Sequence, residues 1–206
     1  MPRTADHTAR RAQIADALVR VAARDGLHAA TMRSVAAEAE VSLRLVQYYF
    51  HTKTGLLLGA LQHLEQQTRS RWDQRLAGLP APIPQRAFVE AFLAEALPTD
   101  EPSRTFHLVG TSYAMLALTD PDLEAPPFAA RIAHLRQQLT DALSHAADIG
   151  ELAPGIDPHL EASRLVALAN GLGTGLLAGH HTSDTAEQLL RYHLDQLFPS
   201  PPGAVK

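Results

Sequence analysis

Two short segments with apolar inner faces stand one residue apart, and that spacing constrains this chain more than any other feature. Met32 to Ala39 reads as a short helix led by Thr31. Val41 to Phe50, VSLRLVQYYF, reads as a second, led by Ser42. Thr and Ser are good helix N-caps because the side-chain oxygen accepts a backbone N–H that the first turn leaves free. Two helices joined by so tight a hinge make a helix-turn-helix, in which one helix fits the major groove and its neighbour braces it. The inward positions must then be small or apolar. Val35, Ala36, Ala39, Val41, Val46 and Phe50 satisfy this, and Ile14 and Leu18 of a preceding amphipathic helix can close the same small core.

The outward positions carry the chemistry. Leu43, Arg44, Gln47 and Tyr48 are the expected base readers. Arg pairs with guanine O6 and N7, and Gln with adenine N6 and N7. Leu43 and Tyr48 suit thymine methyls or sugars. Thr31, Arg33, Ser42, Tyr49 and Lys53 suit phosphate oxygens, which fix position without reading sequence. Lys53 also stands where a fourth helix begins, and the free N–H groups of a helix start favour phosphate.

Charge follows the same division. Residues 1–53 hold 8 Lys and Arg against 5 Asp and Glu, whereas residues 54–206 hold 10 against 17. A basic head for nucleic acid on an acidic body is the expected partition.

The remainder reads as helix. Hydrophobic residues make up 46% of the 206 and aromatics only 5%, so the core is built mostly of Leu, Ala and Val. That composition favours packed helices over a β-sandwich. Ile14, Leu18, Val21 and Ala22 repeat at helical spacing over Arg11 to Asp25, ended by Gly26. Thr52 caps a fourth helix reaching about Ala77. Further helices are expected over Gln85 to Leu97, Ser103 or Arg104 to Leu118, Phe128 to Ile149, His159 to Gly179 and Thr185 to Phe198. Breaks fall at Gly78 to Pro84, Pro98 to Pro102, Pro121 to Pro127 and Gly150 to Pro158. The expectation is an all-α chain of about nine helices. Residues 1–53 are its helix-turn-helix DNA-binding domain, 54–198 a helical ligand-binding and dimerisation domain, and 199–206 a flexible tail.

Composition also excludes chemistry. Without cysteine there is no disulfide, thiolate metal site or Cys nucleophile, which fits a cytoplasmic protein. The first residues have no apolar core of signal-peptide length, and no run approaches the roughly 18 apolar residues of a membrane span. Neither a membrane partner nor a cofactor is expected. Gly171-Leu172-Gly173-Thr174-Gly175 lies inside a helical pattern with no strand before it, so it is no phosphate-binding loop.

With these residues in view the chain resembles the Tet repressor (TetR) family of bacterial regulators over residues 11–61. The likeness rests on Gly26, Thr31-Met32-Arg33, Ala39-Glu40-Val41-Ser42, Tyr48-Tyr49-Phe50, and Lys53 before Leu56-Leu57. Departures are Glu40 at a usual Gly, which requires a left-handed residue under strain, Gln47 at a usual Tyr, Tyr49 at a usual His, and Gly55 at a usual Glu. Residues 150–198 are similar to a BetI-like branch in their Gly-Glu-Leu, Asp-Pro and Glu-Ala-x-Arg-Leu elements.

The resemblance implies a homodimer on a near-palindromic double-stranded operator, released by a small-molecule effector. It implies pairing of the last two helices between subunits, through Leu165, Ala169, Gly173, Leu177, Leu190 and Leu194. It also implies a pocket. Trp72, Phe88, Phe92, Phe106, Met115 and Phe128 are candidate walls, and His107, Tyr113, His134 and Asn170 candidate polar anchors. So few aromatics give no support for an aromatic cage around a quaternary ammonium.

Two rival readings are a helical enzyme and a ligand sensor that does not bind DNA. Against the first, the 11 histidines show no HExxH spacing, and Ser112 lacks the second glycine of a nucleophile elbow. Against the second stand Arg44, Gln47 and Lys53.

Overall fold

A computed structural model of the chain describes residues 2–118 and 129–199. Among these are nine α-helices: α1 Pro2–Asp25, α2 Met32–Glu38, α3 Leu43–Phe50, α4 Lys53–Ala77, α5 Gln85–Glu95, α6 Glu101–Ala117, α7 Ala129–Asp148, α8 Pro158–Leu177 and α9 Ser183–Leu197. One 3-10 turn, Leu27–Ala29, joins α1 to the approach of α2. The described residues contain no strand. Phe128, the loop expected at Pro121 to Pro127, and the tail beyond Pro199 lie outside the described residues.

Side-chain caps set most helix starts. Thr31 and Ser34 form a reciprocal box at α2, and Ser42 accepts the Leu45 N–H at α3. Thr52 accepts the Gly55 N–H at α4, at 2.9 Å. Asp157 accepts from His159 and Leu160 at α8, and Thr182 from Thr185 at α9. Two starts differ from the sequence reading for one reason. Pro102 lies in the first turn of α6 and Pro158 opens α8. Proline fits there because a first-turn N–H has no intrahelical acceptor, so those prolines begin helices where breaks were expected. The first helix also starts nine residues before Arg11, at Pro2.

The chain divides into two compact units. The described parts of Met1–Arg69 and Arg104–Ala129 form the first, and those of Ser70–Ser103 and Ala130–Lys206 the second. The first unit therefore extends beyond residue 53. Leu56, Leu57, Ala60, Leu61 and Leu64 of α4, and Val109 and Tyr113 of α6, are buried in the same cluster as Ile14, Leu18, Val46 and Phe50. The second unit buries Trp72, Val89, Phe92 and Leu93 with Leu139 and Leu143 of α7, Leu165, Ala169 and Leu172 of α8, and Leu190, Leu194 and Leu197 of α9. Burial at roughly 25 cal/mol per Å² of apolar area drives both. No helix of the described residues is long and apolar enough to cross a membrane.

Candidate nucleic-acid interface

The hinge between α2 and α3 is closed by backbone bonds. The Val41 N–H reaches the Ala36 carbonyl at 3.0 Å and the Glu40 N–H reaches Ala37 at 3.1 Å. This nested pair is the Schellman termination, which places one residue in the left-handed region. That residue is Glu40, with φ 54°. The strain expected at this position is present. Gln13 of α1 donates its side-chain amide to the Ala39 carbonyl at 2.9 Å and ties the hinge to α1.

Val46 and Phe50 are buried, so α3 must turn Arg44, Gln47 and Tyr48 outward. All three are exposed, Tyr48 at 65%. Leu43 is half-buried and packs against the core, so only part of it faces out. Arg33 and Lys53 are exposed. Ser42 is exposed, and its oxygen is occupied by the cap while its O–H can still donate. Thr31 is placed differently from a free phosphate donor. Its hydroxyl accepts the Ser34 N–H at 3.1 Å and pairs with the Ser34 hydroxyl at 3.0 Å.

Tyr49 is half-buried. Its carbonyl accepts Arg11 Nη1 at 3.3 Å, and the Arg11 guanidinium sits 4.7 Å from the centre of the Phe50 ring. The end of α3 is thus held from α1. The turn that follows is equally tight: His51 has φ 58°, and a side chain at Gly55 would meet the Phe50 carbonyl oxygen. That is the physical reason for glycine at position 55.

The back of α2 is fixed by charge. Glu38 takes Arg20 at 2.8 Å on one oxygen and Arg24 at 3.0 Å on the other. Hydrogen bonds from Arg20 and Arg24 hold its carboxyl below the usual range. Sequence reading missed Arg11, Gln13 and this pair of arginines. Polar side chains on the inner edge of an otherwise apolar helix were the available signal.

The expected pocket residues that are described fall in both units. Phe106, His107, Tyr113 and Met115 belong to the first unit, and Trp72, Phe88, Phe92, His134 and Asn170 to the second. Tyr113 is fully buried in the first core, Met115 is 59% exposed, and His134 and Asn170 are exposed. Three aromatics do converge despite the low aromatic content. The Trp72 ring stands 5.5 Å from Phe88 and 6.3 Å from Phe92, edge-on to both. Beside them a groove of about 370 Å³ is lined by Ile83, Gln85, Phe88, Gln138, Asp141 and Ala142.

Five of the six residues expected at a dimer interface are spent inside the subunit. Leu165, Ala169, Gly173, Leu190 and Leu194 are buried in the chain itself, and Leu177 is half-buried. Helical period shows which stripe is apolar, not whose side chains cover it. The outward faces of α8 and α9 instead carry Leu160, Gly171, Leu189 and Tyr192. Among the described residues no group of three or more His, Asp and Glu could hold a metal ion.

With this geometry the comparisons with known proteins fall into place. Residues 84–199, more than half of the chain, match the C-terminal domain of BetI-type transcriptional repressors. Residues 14–60 match the N-terminal domain of the tetR family of bacterial regulatory proteins. The chain belongs to the TetR family. It is a transcriptional regulator of that helix-turn-helix, DNA-binding family, which is not a family of enzymes. The regulator PksA of Bacillus subtilis is 29% identical over 84% of this chain and 80% of its own. The regulator BetI of Burkholderia lata is 28% identical over 97% and 100%. Among solved structures, a transcriptional regulator from Rhodococcus sp. Rha1 superposes with a TM-score of 0.75 at 26% identity, over 91% of this chain and 95% of its own. A regulator from Saccharomonospora viridis in complex with choline has a TM-score of 0.75 at 24% identity, over 91% and 94%, and shares the fold.

Proposed function

We propose that this TetR-family regulator is a homodimeric repressor that holds a near-palindromic duplex operator and releases it on binding a small molecule. The observation that carries the reading is α3. It is capped at Ser42, held at its end by Arg11 of α1, preceded by a hinge that Gln13 ties to α1, and turns Arg44, Gln47 and Tyr48 to solvent. Arg33, Ser42, Tyr49 and Lys53 flank it as phosphate contacts, and Thr31 serves the interface as the cap that orients α2.

A two-fold dimer presents two such helices to two half-sites. The second copy docks on the outward faces of α8 and α9. Leu160 is 71% exposed and Tyr192 68%, far more than an isolated subunit gains by displaying them.

Release requires an effector that prefers the conformation unable to bind DNA. The relative in complex with choline makes a quaternary ammonium the first class to test. The groove at Phe88 and Asp141 offers an aromatic ring and a carboxylate together, the two groups such a cation takes. Repeated selection of duplexes from a random pool, followed by titration of choline into the complex, tests the reading. A recovered inverted repeat that choline displaces supports it. Recovery of no sequence overturns it, and indifference to choline removes that effector class alone.

A further inference from the structure

The early part of α1 carries a ring that reaches α3. Residues 6–9 are all exposed, so they bury almost nothing in the core. Yet the helix continues through them, and His7 meets α3. The His7 ring lies 4.5 Å from the Tyr49 ring and 6.5 Å from that of Tyr48, edge-on to the latter. Tyr48 and Tyr49 in turn stand 5.3 Å apart at 86°. The three rings form one cluster, within the 4.5–7 Å range over which aromatic pairs attract. Of the two tyrosines, Tyr48 is turned 65% to solvent on the outward face of α3 and Tyr49 is half-buried.

We propose that His7 is a positioning residue for base reading. Resting on our reading of α3 as the recognition helix, it clamps Tyr48 and Tyr49 so that the Tyr48 ring enters the groove in one fixed orientation. A free Tyr side chain on a solvent face samples several rotamers. Fixing one before DNA arrives removes an ordering cost from binding, and does so chiefly for the sequence whose edge that orientation fits. His7 therefore acts on discrimination, through Tyr48, more than on the attraction to phosphate.

The test uses the full chain, His7→Ala and His7→Phe, with the tightest duplex recovered from a random pool, its single-base variants, and an unrelated duplex of equal length. Phe keeps a ring in the cluster, whereas Ala removes it. His7→Ala is expected to weaken the recovered duplex roughly three- to tenfold, from the size of an aromatic pair. It should flatten preference at one position of each half-site and leave the unrelated duplex and the salt slope unchanged. His7→Phe should restore the preference. An equal loss on both duplexes with a smaller salt slope, in Ala and Phe alike, makes His7 a phosphate contact and overturns the proposal. No change in either variant overturns it too. If the unmodified protein recovers no duplex, the reading of α3 falls first and this proposal with it.

Discussion

Gly59 leaves the space that the Phe50 ring fills. A methyl group built at Gly59 would strike that ring, with Arg11 Nη2 3.5 Å away. The end of α3 is thereby seated directly on the backbone of α4, and any motion of α4 in this stretch reaches Phe50.

Gly59→Ala should therefore destabilise the chain although alanine is the better helix former. Overpacking of this kind costs about 1–3 kcal/mol, more than the helix-propensity gain of about 1. Urea denaturation should show a lower midpoint. An unchanged or higher midpoint means Phe50 has room to move.

Glu40→Gly should act in the opposite direction. The left-handed conformation costs a non-glycine residue roughly 1–2 kcal/mol, offset by about 0.5–1 for the greater freedom of glycine in the unfolded chain. A net stabilisation of about 0.5–1 kcal/mol is expected in the same denaturation experiment, with DNA affinity retained.

Lys53 and Arg44 separate the two kinds of contact. Lys53→Ala should weaken all duplexes alike and lower the salt slope by roughly one unit. Arg44→Ala should relax preference at one position of each half-site. If preference survives Arg44→Ala, the groove contact belongs to another side chain.

Asp100 links stability to pH. Its carboxylate accepts the Ser103 N–H at 2.7 Å, while its own N–H reaches the Ser103 hydroxyl at 3.1 Å. Hydrogen bonds from Ser103 and the positive charges of Arg71 and Arg75 hold the carboxyl below its usual range. A lowered folded-state value contributes stability above the unfolded Asp value of about 3.9, lost as pH falls through the folded one. Asp100→Asn should remove that share of the acid-side loss. Melting temperatures of both proteins between pH 3 and 7 should converge at the acid end. Parallel curves contradict the assignment.

Leu189 and Tyr192 test the proposed dimer surface. Charged substitutions at both, Leu189→Glu with Tyr192→Glu, should halve the mass in analytical ultracentrifugation. Since both side chains are exposed in the subunit, far-UV circular dichroism should not change.

What the sequence made legible was local. Thr31, Ser42 and Thr52 announce their helices because a cap is read from a few neighbouring residues. The strain at Glu40 was legible because a left-handed hinge normally takes glycine. What stayed hidden depends on the third dimension. Residues 2–10 carry no apolar period, so the early part of α1 was invisible until His7 met Tyr49. Leu165 and Leu190 were apolar at helical spacing whether their own subunit or a second copy covered them. Gly59 gave no signal at all, because its role is the space it leaves.

The most direct measurement is fluorescence anisotropy of a labelled duplex from upstream of the protein's own gene, titrated at several salt concentrations beside an unrelated duplex and repeated with Arg44→Ala. The account predicts tight binding that weakens steeply with salt, exceeds the control, and loses that margin in the variant. Absence of binding to either duplex, even at low salt, would contradict it.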